Sequence, residues 1–347
     1  MENKLGNLVL DQWVDGDGDG KLLCSAVSGD PVARISSDGL DFGDILDYAR
    51  TVGGANLRQF TFHERGDMLK ALAQYLMEHK KEFYELSTQT GATRADSWVD
   101  IDGGISTLFV FSSKGRREMP NDHVYLDGPP ERISKNGTFT AQHIFTPKLG
   151  AAVHINAFNF PCWGMLEKLA PTLLAGVPAI VKPASSTAYL TELMVRRINA
   201  SGLLPDGALQ LICGGVGDLF DHLGCQDTIA FTGSKKTAEF LQQHPRVVSQ
   251  SVAFTAETDS LNSSILGPDA VPGTPEFDLF VQEVTREMTS KAGQKCTAIR
   301  RIIAPAAIAG EVVQAVSSAL GKIRIGNPAN KDIDMGALAS QGQRDEV

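Results

Sequence analysis

The sequence lacks the features of several protein classes. No apolar run approaches the roughly 18 residues of a membrane span, and the start MENKLGNLVLDQW has no apolar region typical of a secretory signal. Acidic residues outnumber basic ones by 41 to 32, so the chain has no basic excess suited to nucleic acid. Five scattered cysteines without a CxxC pair argue against a disulfide framework or a metal site. We therefore expect a cytoplasmic protein with neither a membrane nor a nucleic-acid partner.

The size and composition are those of a globular protein. The chain has 347 residues, of which 42% are apolar and 21% charged. A chain of this length can bury a sizeable core and suits two domains better than one.

The local pattern DGDGDGK, residues 15–21, imitates the start of a calcium-binding loop. An EF-hand needs a bidentate glutamate at its twelfth position, where this chain has Ala26. The alternative is a glycine-rich turn that joins two short strands, and we favour it.

Strands and helices alternate from residue 148 onwards. The segments GAAVHI, VPAIVK, ALQLI, DTIAF and VAFT have the composition of strands, and WGMLEKLAPTLLAG, TAYLTELMVRRINASG, VGDLFDHL and SKKTAEFLQQH that of helices. This alternation predicts an α/β fold with a parallel sheet, whose ligands bind beyond the carboxyl ends of the strands. Residues 61–86 have the apolar spacing of a surface helix. Residues 119–147 are irregular and polar, and they predict either a linker or a long protruding hairpin.

Three polar side chains follow predicted strands. Asn159 in NAFNFP can donate its amide to a developing oxyanion, or it can cap the next helix. Lys182 in VKPASS can hydrogen-bond a ribose or a phosphate, or it can be an ordinary exposed lysine. Glu257 follows a strand that we expect to be buried. A carboxylate at the rim of an apolar pocket can act as a general base, and the alternative is a solvated loop glutamate.

Two glycine-containing turns are further candidates for binding an anion. The turn CGGVGD contains Gly215 and Gly217 but is not a GxGxxG fingerprint, so it is a weak signal. In FTGSKK, Thr232, Gly233 and Ser234 precede a helix, where backbone N–H groups and a hydroxyl can hold an anion. The alternative for Ser234 is a plain helix N-cap.

Cys296 is the one cysteine with suggestive neighbours. The segment EFDLFVQEVTREMTSKAG predicts a helix with Gly293 as its C-cap, so Cys296 lies on the turn beyond it. Lys295, Arg300 and Arg301 lie close in sequence, and nearby positive charge would increase the reactive thiolate fraction. The alternative is a small buried hydrophobic residue.

The motifs occur in the order found in the aldehyde dehydrogenase superfamily, which the chain resembles. They are NAFNFP, IVKPASS, CGGVG, FTGSKK, Glu257 and GQKC. The segments at 86–104, 154–171 and 286–302 look like the aldehyde dehydrogenase half of the bifunctional ring-opening enzymes of phenylacetate degradation. The resemblance covers essentially the whole chain.

The resemblance implies an aldehyde dehydrogenase-like architecture. It comprises a parallel-sheet NAD(P)-binding domain over residues 1–118 and 148–257 and a bridging and oligomerisation hairpin over 119–147. A second α/β domain, the catalytic one, covers 258–347 and is expected to be incomplete at its C-terminus. A homo-oligomer is expected of the full-length protein.

The resemblance also implies roles for the candidate residues. Cys296 attacks the aldehyde, Asn159 and the Cys296 backbone N–H hold the oxyanion, and Glu257 activates the water that hydrolyses the thioester. Lys182 holds the adenosine ribose.

The remaining candidates are implied to bind the cofactor. The FTGS turn with Thr232, Gly233 and Ser234 faces the pyrophosphate, and Gly215 and Gly217 belong to the second cofactor turn. The family's acidic residue three positions after the lysine is here Ser185. Ser185 carries no charge to repel a 2′-phosphate. Its presence therefore favours NADP and leaves NAD possible.

Two departures from the family pattern lead to further expectations. Thr258 and Asp259 follow Glu257 in place of the usual glycines. The chain ends at Val347 without the family's later glutamate segment, so we expect a fragment of a longer protein that is poorly active alone. The leading interpretation is NADP-dependent oxidation of an aldehyde, in particular a CoA-linked semialdehyde of phenylacetate-type aromatic catabolism. A CoA-acylating dehydrogenase and an idle scaffold are the alternatives.

Overall fold

The strands belong to one large sheet and three small ones. The computed structural model describes residues 4–345. In this range the strands are β1 (Asn7–Val9), β2 (Gln12–Val14), β3 (Lys21–Cys24), β4 (Pro31–Ile35), β5 (Tyr125–Arg132), β6 (Thr140–Phe145), β7 (Ala152–Ile155), β8 (Ala179–Lys182), β9 (Leu209–Leu211), β10 (Thr228–Thr232), β11 (Ala253–Glu257), β12 (Asn262–Ile265) and β13 (Ile299–Ile303).

The helices lie on both faces of the large sheet and beside the small ones. They are α1 (Phe42–Tyr48), α2 (Gly54–Leu57), α3 (Phe62–Ser87), α4 (Arg94–Trp98), α5 (Gly104–Arg117), α6 (Pro161–Leu174), α7 (Ala188–Ala200), α8 (Lys235–Gln242), α9 (Pro245–Ser249), α10 (Pro275–Thr289), α11 (Ala309–Leu320) and α12 (Gln341–Asp345). Single π-helical turns, Ala49–Gly53 and Val99–Gly103, join α1 to α2 and α4 to α5. No helix within residues 4–345 is both long and apolar enough to cross a membrane.

The large sheet has seven strands in the order β11-β10-β7-β8-β9-β1-β2. The strands β7 to β11 pair in parallel, and β1 is antiparallel to both β9 and β2. The predicted parallel α/β sheet is therefore confirmed. The sequence patterns did not predict that the N-terminal strands extend it.

Two apolar clusters sandwich this sheet. One is built around α3, α5, α6 and α7, and the other around α1, β7 and β10. Helix α3 begins at Thr61, whose hydroxyl accepts from the N–H of Glu64 while the Glu64 carboxylate accepts from the N–H of Thr61. This capping box explains why the predicted surface helix begins there.

The last part of the chain forms a smaller unit. Strands β12 and β13 pair in parallel, and α10 and α11 pack together over a third apolar cluster that includes Phe277, Val284 and Val316. Strands β5 and β6 form an exposed antiparallel hairpin, which is the second of the two alternatives for residues 119–147. Its bridging and oligomerisation role stays a prediction.

Three local expectations differ from the structure. VGDLFDHL forms only a 3₁₀ turn, Leu219–His222, because the chain there is short and turns back at Leu223 towards β10. Strand β11 is mostly exposed instead of buried because it is the edge of the sheet and pairs only with β10. Helix α10 ends at Thr289 rather than at Gly293.

The DGDGDGK segment lies between β2 and β3, as the turn interpretation predicts. The Lys4 ammonium donates to the carbonyl oxygens of Gly16 (2.9 Å) and Gly18 (2.5 Å). The Lys4 ammonium thus occupies two carbonyl oxygens that a calcium ion in this loop would otherwise use. Within residues 4–345 no group of three acidic, histidine or cysteine residues could hold a metal ion.

Candidate active site

Four of the predicted site residues line one cavity beyond the carboxyl ends of the central strands. The cavity has a volume of about 630 Å³ and is lined by Asn159, Thr232, Glu257 and Cys296. Its walls also include the aromatic side chains of Trp98, Phe160 and Trp163. The other predicted residues, Lys182, Ser185, Gly215, Gly217, Gly233 and Ser234, are outside this lining and follow the ends of β8, β9 and β10 along the same edge of the sheet.

The loop that carries Cys296 has an unusual backbone. Lys291 and Ala292 both adopt left-handed conformations, with φ of 51° and 53°, and Gly293 follows with φ of 71°. Left-handed non-glycine residues cost free energy and persist where surrounding contacts hold them. The carbonyl oxygen of Cys296 accepts hydrogen bonds from the hydroxyl of Ser260 and the amide of Asn262. These contacts fix the loop against the start of β12.

Two of the three basic residues near Cys296 are engaged elsewhere. The Lys295 ammonium pairs with Glu287 at 2.7 Å, and the Arg300 guanidinium donates to the Gly293 carbonyl at 2.7 Å. Cys296 is an exposed residue, but its thiol contributes to the cavity wall. This partial burial raises the pKa of the Cys296 thiol, and the thiol's hydrogen bond to Glu257 and the charge of that carboxylate raise it further. The expectation that neighbouring cations favour the thiolate is therefore wrong.

The Glu257 carboxylate should control the reactivity of the thiol. In Glu257→Gln the negative charge is lost, so the pKa of Cys296 should fall and the thiolate fraction at pH 7.5 should rise. We expect alkylation of Cys296 by iodoacetamide to accelerate about 3- to 10-fold, because the thiolate is the form that reacts. Peptide mass spectrometry must follow Cys296 itself, because Cys24 and Cys225 are also exposed. Alkylation that is slower than in the parent protein would contradict this electrostatic coupling.

Asn159 is not the cap of the following helix. Its side-chain oxygen accepts from the N–H of Phe160 at 3.0 Å, and Phe160 is the N-cap residue of α6, without a side-chain capping bond. This leaves the Asn159 amide nitrogen available as a donor on the cavity wall. The arrangement suits an oxyanion donor better than a capping role.

The carboxylate of Asp100 caps α6 instead. Its Oδ1 accepts from the N–H groups of Cys162 at 2.9 Å and Trp163 at 2.8 Å, in the first turn of that helix. Asp100 is 3% exposed, and burial raises its pKa to about 7 despite these bonds and the nearby charge of Lys291. It lies in the π-helical turn between α4 and α5, a distortion that recurs at functional sites.

Lys291 links the cysteine loop to the same region. Its side chain is buried, its ammonium donates to the carbonyl and hydroxyl oxygens of Thr90, and its backbone N–H donates to Asp96 at 2.7 Å. Burial lowers the pKa of Lys291 to about 8, which the charges of Asp100 and Asp96 oppose. Lys291 therefore attaches the cysteine loop to the segment 90–100. Asp100, at the end of the same segment, holds the start of α6 just after Asn159.

Removing the Asp100 carboxylate should destabilise the protein. In Asp100→Ala two buried N–H groups lose their acceptor, so we expect the free energy of unfolding to fall by about 2–4 kcal/mol. Asp100→Asn retains one oxygen acceptor and should lose less. Urea denaturation of both variants measures the difference. An alanine variant as stable as the parent would show that this carboxylate does not stabilise the start of α6.

The edge beyond β8 and β10 fits a nicotinamide cofactor. The hydroxyl of Thr232 is buried without a hydrogen-bond partner, so it has an unused donor and acceptor beside the cavity. Ser234 is the N-cap of α8 and accepts from the N–H of Thr237 at 3.2 Å, which confirms the capping alternative and leaves its cofactor role a prediction. Lys182 is half-buried, and this burial lowers its pKa. Ser185 begins a 3₁₀ turn three residues further on.

The glycines of CGGVGD are placed next to the N-terminal hairpin β3–β4. Gly217 has φ of 45°, and a Cβ atom there would lie 2.3 Å from the Phe42 ring, so a side chain does not fit. Gly215 is exposed, and its carbonyl accepts from the Ser37 hydroxyl at 2.8 Å. Its position is open to a ligand.

Sequence reasoning missed several residues of this site. Asp100, Lys291, Trp98 and Trp163 belong to it, yet none stands at the end of a predicted strand. Carboxylates within a helical pattern ordinarily face solvent, so the aspartates of RADSWVDIDGG gave no sequence signal of their burial.

Comparisons with known proteins identify the family. The profile of the Aldehyde dehydrogenase family matches residues 13–347. A 3,4-dehydroadipyl-CoA semialdehyde dehydrogenase of Aromatoleum evansii is 46% identical over 342 residues, which are 98% of this chain and 66% of that relative. An alpha-ketoglutaric semialdehyde dehydrogenase of Bacillus subtilis is 26% identical over 310 residues, 86% of this chain and 59% of that protein.

The fold agrees with those of two solved structures. A betaine aldehyde dehydrogenase of Staphylococcus aureus, solved in complex with NAD+, superimposes with a TM-score of 0.86 at 22% identity, over 99% of this chain and 66% of that one. An NADP-dependent enzyme of Escherichia coli gives 0.85 at 21% identity, over 98% and 68%. This chain thus spans about two thirds of the length of each of these two structures. The chain belongs to the aldehyde dehydrogenase family.

Proposed function

We propose that this protein oxidises an aldehyde to a carboxylic acid, with Cys296 as the nucleophile. The observation that carries the proposal is the single cavity whose walls include Cys296, Glu257 and Asn159. A nucleophile, a base and an oxyanion donor around one space are the groups that covalent oxidation of a carbonyl needs. An idle scaffold does not need this arrangement.

The first step is attack on the aldehyde carbon. Glu257 takes the proton of the Cys296 thiol as the sulfur–carbon bond forms, because its carboxylate lines the same cavity and acts on the pKa of that thiol. The carbonyl oxygen becomes an alkoxide in the thiohemiacetal. The Asn159 amide and the backbone N–H of Cys296 donate to this oxygen.

Oxidation and hydrolysis follow on the same sulfur. The nicotinamide cofactor, when bound, would supply the acceptor for the hydride of the thiohemiacetal carbon, and the alkoxide on Cys296 would then collapse to a thioester. Glu257 first releases to solvent the proton that it took from the thiol, and its carboxylate then removes a proton from water, whose oxygen attacks the thioester carbonyl. Asn159 again faces the oxyanion, and the Cys296 thiol leaves with the acid as product.

The substrate class we propose is a CoA-linked semialdehyde. The similarity of this chain to a relative named for such a substrate supports it. The aromatic lining of the cavity, with Trp98 and Phe160 near Cys296, suits an extended apolar acyl chain. Phenylacetate-type catabolism is the proposed setting, and a reducing cytoplasm suits a mechanism that needs a free thiol. We also propose a homo-oligomer, in which the exposed apolar side chains of the β5–β6 hairpin would be covered.

The cofactor we propose is NADP. In this proposal Lys182 and Ser185 would face the adenosine ribose, and no carboxylate stands at 185 to repel a 2′-phosphate. NAD is the alternative. The Thr232, Gly233 and Ser234 turn, with Gly215 and Gly217, would hold the pyrophosphate.

The test is an activity assay of the purified natural protein at its full length. A CoA-linked semialdehyde is supplied with NADP or with NAD, and absorbance at the NADPH maximum and the products are followed together. We expect faster reduction of NADP and a free carboxylic acid as product without added CoA. No reduction of either coenzyme would contradict the proposal. If instead an acyl-CoA forms, and only when free CoA is added, the result would favour the acylating alternative. That reaction does not need Glu257 as a base for hydrolysis.

A further inference from the structure

We propose that Lys21, at the start of β3, binds the 2′-phosphate of the nicotinamide cofactor and so determines its preference for NADP. This inference rests on the proposed function. The absence of an acid at Ser185 permits a 2′-phosphate but does not attract one. A group that attracts it must come from another part of the chain.

The hairpin β3–β4 lies beside the sheet edge where we propose that the cofactor binds, at the ends of β8, β9 and β10. Lys21 pairs with Ile35 across β3 and β4, and Ser37 follows two residues later. The Ser37 hydroxyl donates to the Gly215 carbonyl at 2.8 Å, and a Cβ atom on Gly214 would lie 2.5 Å from the backbone nitrogen of Ser37. The Lys21 end of the hairpin is therefore in close contact with the glycine turn after β9.

The same strand packs against the turn that contains Ser185. Strand β3 contacts the 3₁₀ turn Ser185–Thr187 directly. Leu23 is 3% exposed in the main core, and Lys21 lies two residues before it, on the same face of the strand. The Lys21 side chain thus starts on the face that meets the cofactor domain, while its exposure keeps the ammonium accessible.

The charges at this point favour an anion. The ammonium of Lys21 lowers the pKa of Lys182, in addition to the larger effect of burial, so the two cations act on each other. Within residues 4–345 neither lysine forms an ion pair with a carboxylate. A phosphate dianion between Lys21 and Lys182 replaces their repulsion by two attractions. Ser185 follows Lys182 by three residues, so a ribose held by Lys182 would lie close to both Ser185 and this pair of lysines.

The test compares coenzyme binding in Lys21 variants. NADP and NAD are titrated into the parent, Lys21→Met and Lys21→Arg by calorimetry, with no aldehyde present. Lys21→Met should bind NADP about 10- to 100-fold more weakly, the usual effect of losing a charged hydrogen bond, while the Kd for NAD stays within about 2-fold. Lys21→Arg should retain NADP affinity within about 5-fold because it keeps the charge.

The controls separate this inference from the proposed function. Lys322→Met removes an exposed lysine from the smaller unit, outside the cofactor edge, and should leave both affinities unchanged. If the parent prefers NADP and Lys21→Met binds both coenzymes as the parent does, the inference alone is overturned. If the parent prefers NAD to NADP, or binds neither coenzyme, both the Lys21 inference and the proposal of NADP as cofactor are wrong. Equal thermal midpoints of parent and Lys21→Met confirm that folding is intact.

Discussion

Cys296→Ala is expected to lower steady-state turnover of the aldehyde by at least about 10⁴-fold, because no other group of the cavity can form the thioester. The side chain is exposed, so its removal should leave folding intact. NADPH formation is measured with saturating aldehyde, together with calorimetric binding of NADP. The coenzyme should bind Cys296→Ala as it binds the parent.

The other exposed cysteines provide the matched control. Cys24→Ala and Cys225→Ala also remove exposed thiols, but these thiols are absent from the cavity lining. Both variants should turn over at the parent rate within about 2-fold. If Cys296→Ala also retained the parent rate, the assignment of the nucleophile would be wrong.

Glu257→Gln is expected to separate the two halves of the reaction. Its thiol should be more readily ionised than in the parent, so the first hydride transfer should still occur. Hydrolysis then lacks its base, and steady turnover should fall by about 10²- to 10⁴-fold. Stopped-flow absorbance should show a burst of one NADPH per active site followed by a slow phase.

A control for this variant lies on α10. Glu276→Gln removes an exposed carboxylate in the first turn of α10 that is absent from the cavity lining, so its turnover should match the parent. Normal steady turnover of Glu257→Gln without a burst would assign hydrolysis to another group.

Sequence reasoning found the residues that follow strand ends, since strand–helix alternation and the parallel-sheet rule place them on one edge. Asn159, Thr232, Glu257 and Cys296 were all identified in this way or from the order of motifs, and the structure brings them to one cavity. Strand β11 was expected to be buried because its composition is apolar. Whether a strand is central or at the edge depends on sheet order, which local composition does not encode.

The residues that fix the geometry could not be predicted. Asp100 is 62 residues from Cys162 in sequence, and Lys291 is 201 residues from Thr90. Such contacts depend on how α5, α6 and the cysteine loop pack together. The expected effect of Lys295 on Cys296 failed for a local reason. Glu287, in the last turn of α10, forms an ion pair with the Lys295 ammonium.

The most direct test of the central claim is to detect the thioester itself. Glu257→Gln is mixed with the CoA-linked semialdehyde and NADP, quenched in acid after the burst, and digested for peptide mass spectrometry. The account predicts that the peptide containing Cys296 gains the mass of the acyl group in proportion to the NADPH formed, and that hydroxylamine removes it. NADPH formation with an unmodified Cys296 peptide, or with the acyl group on another cysteine, would contradict it.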